Sequence, residues 1–224
     1  MEDMATATAR AIDTGAARFE GELFDFDAFA AAPLQRDPFD YLIVPHFIRP
    51  AALAALNEDF PEIAKPGNFP PEALRYGPSF AALLEALRGA ELAARLGAKF
   101  GVDLGGCHPT IAIRRHSEAT DGNIHTDHKS KVITVLFYFN QHWPHEGGRL
   151  RMLRSATDLE DYAAESVPEG GAMLAFRRTD HSWHGHKPYV GERRILQLSY
   201  TRGGDTARLV SSLTKPIRRL LGKS

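Results

Sequence analysis

The residues best suited to chemistry are His125 and Asp127, in the stretch GNIHTDHKSKVITVLFYFN from Gly122 to Asn140. The β-branched and aromatic run behind them predicts a buried strand over 131–140. A further strand over 123–128 would put His125 and Asp127 on one face, because residues two apart on a strand point the same way. One imidazole beside one carboxylate is two thirds of a facial 2-His-1-carboxylate set, which suits non-haem ferrous iron. The third donor should come from a later strand facing the pair. Asp180 to His186 (DHSWHGH) offers three histidines, of which His184 and His186 share one strand parity. His184 is the first choice, His186 the second and His181 the third. His128 directly follows Asp127, so a regular strand turns it away from the pair.

Such an iron site splits dioxygen, which takes four electrons. Two come from a substrate C–H bond and two from an oxidisable co-substrate, usually 2-oxoglutarate. The distal carboxylate of that co-substrate sits deep and needs a buried cation. Arginine suits the role because its planar fork holds a carboxylate at two points. The segment GERRILQLSYTR supplies Arg193 and Arg194. As neighbours on a strand, one faces in and one out. Arg193 shares a face with Ile195, Gln197 and Ser199, and Arg194 with Leu196, Leu198 and Tyr200; periodicity alone does not choose between them.

The elements that must position these groups fall in two halves. From residue 108 onward, β-rich runs at 109–116, 123–128, 131–140, 148–153, 164–167, 171–177, 181–186 and 192–202 are separated by Gly, Pro and Asp, which predicts a sandwich or barrel. Before them, Gly21 to Leu34 reads as a short docking strand or turn, and DYLIVPHF (40–47) as a strand. AALAALNEDF reads as a helix opened by Pro50. Residues 61–78 hold five prolines and two glycines, hence a loop. Ser79 is placed as N-cap of a helix running to Gly97 or Gly101, weakened at Gly89. The expected fold is α+β, mainly β: a double-stranded β-helix (jelly roll) core with N-terminal helices packed on one sheet. Residues 1–22 form a flexible extension and 23–204 one catalytic domain, with helical support over 48–101 and the β-helix core over 108–202. Residues 205–224 form a basic tail or short helix.

Composition narrows the function. The chain has 224 residues, 43% of them hydrophobic, and a formal net charge of −1. Near-neutral charge gives no sign of a nucleic-acid partner. No apolar run is long enough for a membrane span. The single cysteine, Cys107, rules out an intrachain disulfide framework, and the start lacks the form of a secretory signal, so a reducing, cytoplasmic setting is expected.

The run from Arg115 to Thr201 resembles the iron(II)- and 2-oxoglutarate-dependent dioxygenases of the prolyl 4-hydroxylase-like superfamily. Its parts come in order: His125-Thr126-Asp127, the strand ending Phe139-Asn140, Gly147-Gly148-Arg149-Leu150, Pro168-Glu169-Gly170-Gly171, Ser182-Trp183-His184 and Gly191-Glu192-Arg193. The resemblance implies Fe(II) held by His125, Asp127 and His184. It implies Arg193, nine residues past His184 in a Gly-x-Arg frame, as the 2-oxoglutarate anchor. Tyr138 falls where similar enzymes place a hydroxyl on the same carboxylate. Halogenating relatives lack the carboxylate ligand, so Asp127 implies hydroxylation or another oxidative outcome such as desaturation. The implied reaction takes 2-oxoglutarate and O2 to succinate and CO2 while hydroxylating a small molecule or a protein side chain that the sequence does not identify. The alternative is a non-catalytic, cupin-like metal- or ligand-binding β-barrel. Around the site, Lys131 reads as a solvated edge lysine, with a place at the site mouth as the other option. Arg115 and His116 read as surface residues, with substrate contact as the other option. Trp143 and Trp183 read as packing, His142 and His145 as surface or entry-loop residues, and His108 as structural.

Overall fold

The computed structural model describes residues 20–203. Most of the expected N-terminal extension, and the whole basic segment 205–224, lie outside the described residues. Helix α1 (Phe26–Ala31) occupies the stretch expected as a strand or turn. The Asp25 carboxylate accepts from the Ala28 N–H at 2.8 Å, a local N-cap that a reading of apolar alternation overlooks. Strand β1 (Tyr41–Val44) and helix α2 (Pro50–Glu58) follow, the latter with Pro50 in its first turn as expected.

The helix expected over 79–101 is two helices, α3 (Pro78–Arg88) and α4 (Ala90–Phe100). Gly89 takes extended backbone angles and separates them. Ser79 is not the N-cap, a position held by Gly77; its N–H instead donates to Asp59 Oδ2 at 2.7 Å. Asp59, at the end of α2, thus caps α3 from twenty residues away, a contribution of about 1 kcal/mol. A Cβ at Gly77 would overlap the Asp59 carboxylate, so glycine permits the approach.

The remaining strands are β2 (His108–Ser117), β3 (Lys131–Tyr138), β4 (Leu150–Leu153), β5 (Tyr162–Ser166), β6 (Met173–Arg177), β7 (His184–Gly185) and β8 (Gly191–Thr201). Two antiparallel sheets result: a five-stranded one ordered β1-β6-β3-β8-β2 and a three-stranded one ordered β5-β4-β7. Two expectations fail: 123–128 is not a strand, and the strand expected over 181–186 shrinks to two residues.

Alternation along the large sheet sorts its side chains. Ile133, Val135 and Phe137 of β3, Met173 and Ala175 of β6, and Leu196 and Leu198 of β8 pack against the helices through Leu56, Phe80, Leu83 and Leu96. On the other face Leu136, Tyr138, Leu174, Phe176 and Ile195 meet Leu150 and Met152 of the small sheet. The helix-backed face is dry and apolar, and each fully buried side chain there contributes about 1.5–3 kcal/mol over leaving it exposed. The polar groups of interest all lie toward the small sheet.

Candidate metal centre

His125 and His184 are brought together by backbone pairing rather than by two long strands. The His125 N–H donates to the His184 carbonyl and the His184 N–H to the His125 carbonyl, both at 3.0 Å. This narrow antiparallel pair sets the imidazoles 4.4 Å apart between ring centres. In each ring Nδ1 lies 2.9 Å from a carbonyl two residues earlier, Asn123 for His125 and Ser182 for His184. A carbonyl only accepts, so Nδ1 carries the proton and Nε2 is left as the free donor for a metal. His184 is buried, and burial pushes its pKa down to about 4, against the pull of Asp127. It is therefore neutral at neutral pH. His125 is exposed and leaves one side of the site open.

Asp127 completes the cluster: donor atoms of His125, Asp127 and His184 all lie within 4.8 Å of one another, an arrangement able to hold a metal ion. Without a strand beneath it, Asp127 is placed by its contacts. The Arg178 Nε donates to its carbonyl at 3.1 Å. Lys131 Nζ donates to Oδ1 at 2.7 Å and Thr134 Oγ1 to Oδ2 at 2.5 Å. Burial alone would raise the Asp127 carboxyl, but the Lys131 ammonium, His184 and these hydrogen bonds outweigh it and hold the pKa at about 2. Lys131 is thus no solvated edge lysine: its side chain is 10% exposed. His128 turns outward, with Nδ1 at 2.8 Å from Ser130 Oγ, and His181 is exposed. His186 lines the cavity but is not part of the three-residue cluster.

A cavity of about 220 Å³ opens beside the cluster, walled by Leu136, Leu150, Phe176 and Ile195 and reaching Arg193. Arg193 is 4% exposed, and burial lowers its pKa to about 10, still charged at neutral pH. Its Nε donates to the Gly148 carbonyl at 2.8 Å, and among the described residues no carboxylate pairs with it. Gly148 has φ +80°, and a Cβ there would lie 2.7 Å from the Trp143 ring and 3.2 Å from Arg193 Cδ, so glycine is required for the cradle. Arg194 turns to the helix side, where it pairs with Glu192 and donates to Asn57 Oδ1 at 3.1 Å. Tyr138 shares the cavity-side face and is fully buried, with the Ser166 hydroxyl beside its own. Burial raises the Tyr138 pKa, with the Arg193 charge opposing. Tyr138 does not itself line the cavity.

The wall toward β2 carries residues not singled out from the sequence. Arg114 donates to Asn68 Oδ1 at 3.1 Å and pairs with Asp121, and Gln197 lies alongside. Arg115 instead faces Glu192 at 3.3 Å. The signal for Arg114 was present: it shares parity with Ala112, opposite to the core positions Ile111 and Ile113.

Residues 110–202 match the family model of the 2OG-Fe(II) oxygenase superfamily. The chain is similar to these oxygenases over that stretch. The matched stretch runs from β2 through β8 and contains His125, Asp127, His184 and Arg193. Among solved structures, the chain is similar to a Pseudomonas putida prolyl-4-hydroxylase, with 18% identity and a TM-score of 0.52 over 80% of this chain and 97% of that one. A Burkholderia pseudomallei oxidoreductase of the 2OG-Fe(II) oxygenase family gives 16% identity and a TM-score of 0.51, over 87% and 96% of the two chains. A Phytophthora capsici prolyl 4-hydroxylase gives 18% and 0.51, over 74% of this chain but only 59% of that longer one. At these identities the likeness is one of fold. No curated protein matches the chain in sequence.

Proposed function

We propose that the chain is an Fe(II)- and 2-oxoglutarate-dependent dioxygenase that hydroxylates a small molecule or a protein side chain. The observation that carries this reading is Arg193: a buried cation with no carboxylate partner among the described residues, in a cavity also lined by His125 and His184 of the His-Asp-His cluster. A buried charge without a partner is costly, so it argues for an anionic ligand. The donor set fits ferrous iron, with two imidazole Nε2 atoms and one carboxylate. Bound Fe(II), with 2-oxoglutarate and O2, supplies oxidation of a substrate C–H bond to C–OH while the co-substrate becomes succinate and CO2.

The rest is the work of the chain. His125, Asp127 and His184 would hold the metal at the edge of the cavity. Arg193 takes the distal carboxylate of 2-oxoglutarate, and Tyr138, which does not line the cavity, acts at that end only through its coupling to the Arg193 charge. Leu136, Leu150, Phe176 and Ile195 keep water from the space between. In this reading the two sheets are the halves of a double-stranded β-helix, within one catalytic domain spanning 23–204. A reducing compartment such as the cytoplasm, which keeps iron ferrous, suits a chain with one cysteine. A cupin-like metal binder without turnover has no use for the unpaired Arg193.

Anaerobic addition of Fe(II) and then 2-oxoglutarate should produce a weak visible metal-to-ligand charge-transfer band, and admission of O2 should release succinate. Asp127→Ala should lose both. Full 2-oxoglutarate turnover by Asp127→Ala would overturn the assignment.

A further inference from the structure

Lys131 opens β3, and simple alternation would send it with Ile133, Val135 and Phe137 into the helix-backed core. The ladder to β8 shows why it goes elsewhere. Lys131 pairs with Thr201 and Ile133 with Tyr200, so Val132 is an extra residue that shifts the register. Thr134 pairs with Ser199, two residues from Thr201. The bulge therefore turns Lys131 onto the same face as Thr134, toward the small sheet. Bulges recur next to functional sites, where they re-aim a side chain. Here the re-aimed ammonium lies 2.7 Å from Asp127 Oδ1, with the two side chains 10% and 9% exposed, and it makes no other ion pair among the described residues.

Lys131 and Thr134 between them engage both oxygens of the one carboxylate in the cluster. A divalent cation bound there would share Asp127 with a buried ammonium and would feel its charge directly, in a place where water screens little. The two imidazoles bring no negative charge and offer no compensation. We propose that Lys131 is a positioning and charge-setting residue of the metal site, which orients Asp127 and keeps the affinity for divalent metal low. Thr134 keeps Asp127 oriented when Lys131 is replaced, so removing the ammonium lifts the repulsion without releasing the ligand. The inference rests on the metal-site reading above, and its test separates the two.

The test is Mn(II) binding to the full chain, followed by the electron paramagnetic resonance of free Mn(II), in the wild-type protein and in Lys131→Met, Lys131→Arg and Asp127→Ala, with thermal melting to confirm folding. Lys131→Met should bind Mn(II) about tenfold more tightly or better, Lys131→Arg should stay near the wild type, and Asp127→Ala should lose the site. A merely structural lysine would give the opposite sign, because its loss would loosen the site. Equal or weaker binding by folded Lys131→Met overturns the proposal while leaving the metal site standing. Should Lys131→Met not fold, Lys131→Arg decides: binding near wild type supports the proposal, and a tenfold change in either direction overturns it. Absence of Asp127-dependent binding in the wild type overturns both readings.

Discussion

The two faces of the five-stranded sheet are made by the same strands and have opposite characters. Toward the helices, β3 and β8 present Ile133, Val135, Phe137, Leu196 and Leu198, all in one apolar cluster. Toward the small sheet the same strands present Thr134, Leu136, Tyr138, Arg193, Ile195 and Gln197, which mix hydroxyls, an amide and a buried charge with apolar walls. One face is specified by packing alone. The other carries polar groups whose burial costs stability unless something satisfies them. The stabilising and the chemical parts of the molecule are thus separated by one residue of strand alternation. A substitution on one face should move stability, and one on the other should move ligand binding.

The largest stability effect should come from the helix-backed face. Phe137 is fully buried, and its ring lies 6.2 Å from Phe24 and 6.1 Å from Phe47 between centres. Phe137→Ala should cost about 3–5 kcal/mol, the usual range for a large side chain deleted from a close-packed core. Urea denaturation would show the loss, while Mn(II) affinity of the folded fraction stays at the wild-type value. A large change in metal affinity with little change in stability would break the division of labour between the faces.

The site face should instead make stability depend on pH. In the metal-free protein, the folded-state pKa of His184 is lowered to about 4 from an ordinary 6.5. As pH falls below 6.5 the unfolded chain takes the proton first, so stability declines until both states are protonated near 4. Asp127, held at about 2 against an ordinary 3.8, extends the decline in the same direction at lower pH. His184 alone should remove on the order of 3 kcal/mol between pH 7 and 4. Denaturant melts of wild type and His184→Gln at pH 7 and pH 4.5 measure it, and the variant should show the shallower slope.

The same contrast explains what could be read from the sequence. The helix-backed face was legible because apolar alternation is local and repeats along each strand. The order of His125, Asp127, His184 and Arg193 was legible because the residue types carry the chemistry whatever the backbone does. The reason offered for the His125–Asp127 pairing was not the one the fold uses: 123–128 is no strand, and Asp127 is placed by Arg178, Lys131 and Thr134. Lys131 was hidden because a one-residue bulge reverses its face, and bulges leave no mark in composition. The cap from Asp59 to α3 was hidden for a related reason, since its partners are distant along the chain. Local periodicity was informative wherever the structure stayed periodic, and the candidate site departs from periodicity at the points where it holds its donor groups.

Arg193 and Arg194 put the comparison into two adjacent residues of the same type. Arg193 points into the cavity, buried and, among the described residues, without a carboxylate; Arg194 points to the helix side, where Glu192 and Asn57 already satisfy it. Arg193→Leu should weaken 2-oxoglutarate binding roughly 100-fold through loss of a two-point charged contact. It should leave Mn(II) binding intact and keep or raise stability, because an unpaired buried charge is removed. Arg194→Leu breaks a partly exposed ion pair and should cost only about 0.5 kcal/mol, with no effect on 2-oxoglutarate. Calorimetric titration of 2-oxoglutarate into the Mn(II)-loaded variants, beside their denaturant melts, distinguishes the two residues. Equal losses of co-substrate affinity would mean that the strand does not separate its faces at this end. A loss confined to Arg194→Leu would move the anchor to the helix side and remove the main support for the proposed function.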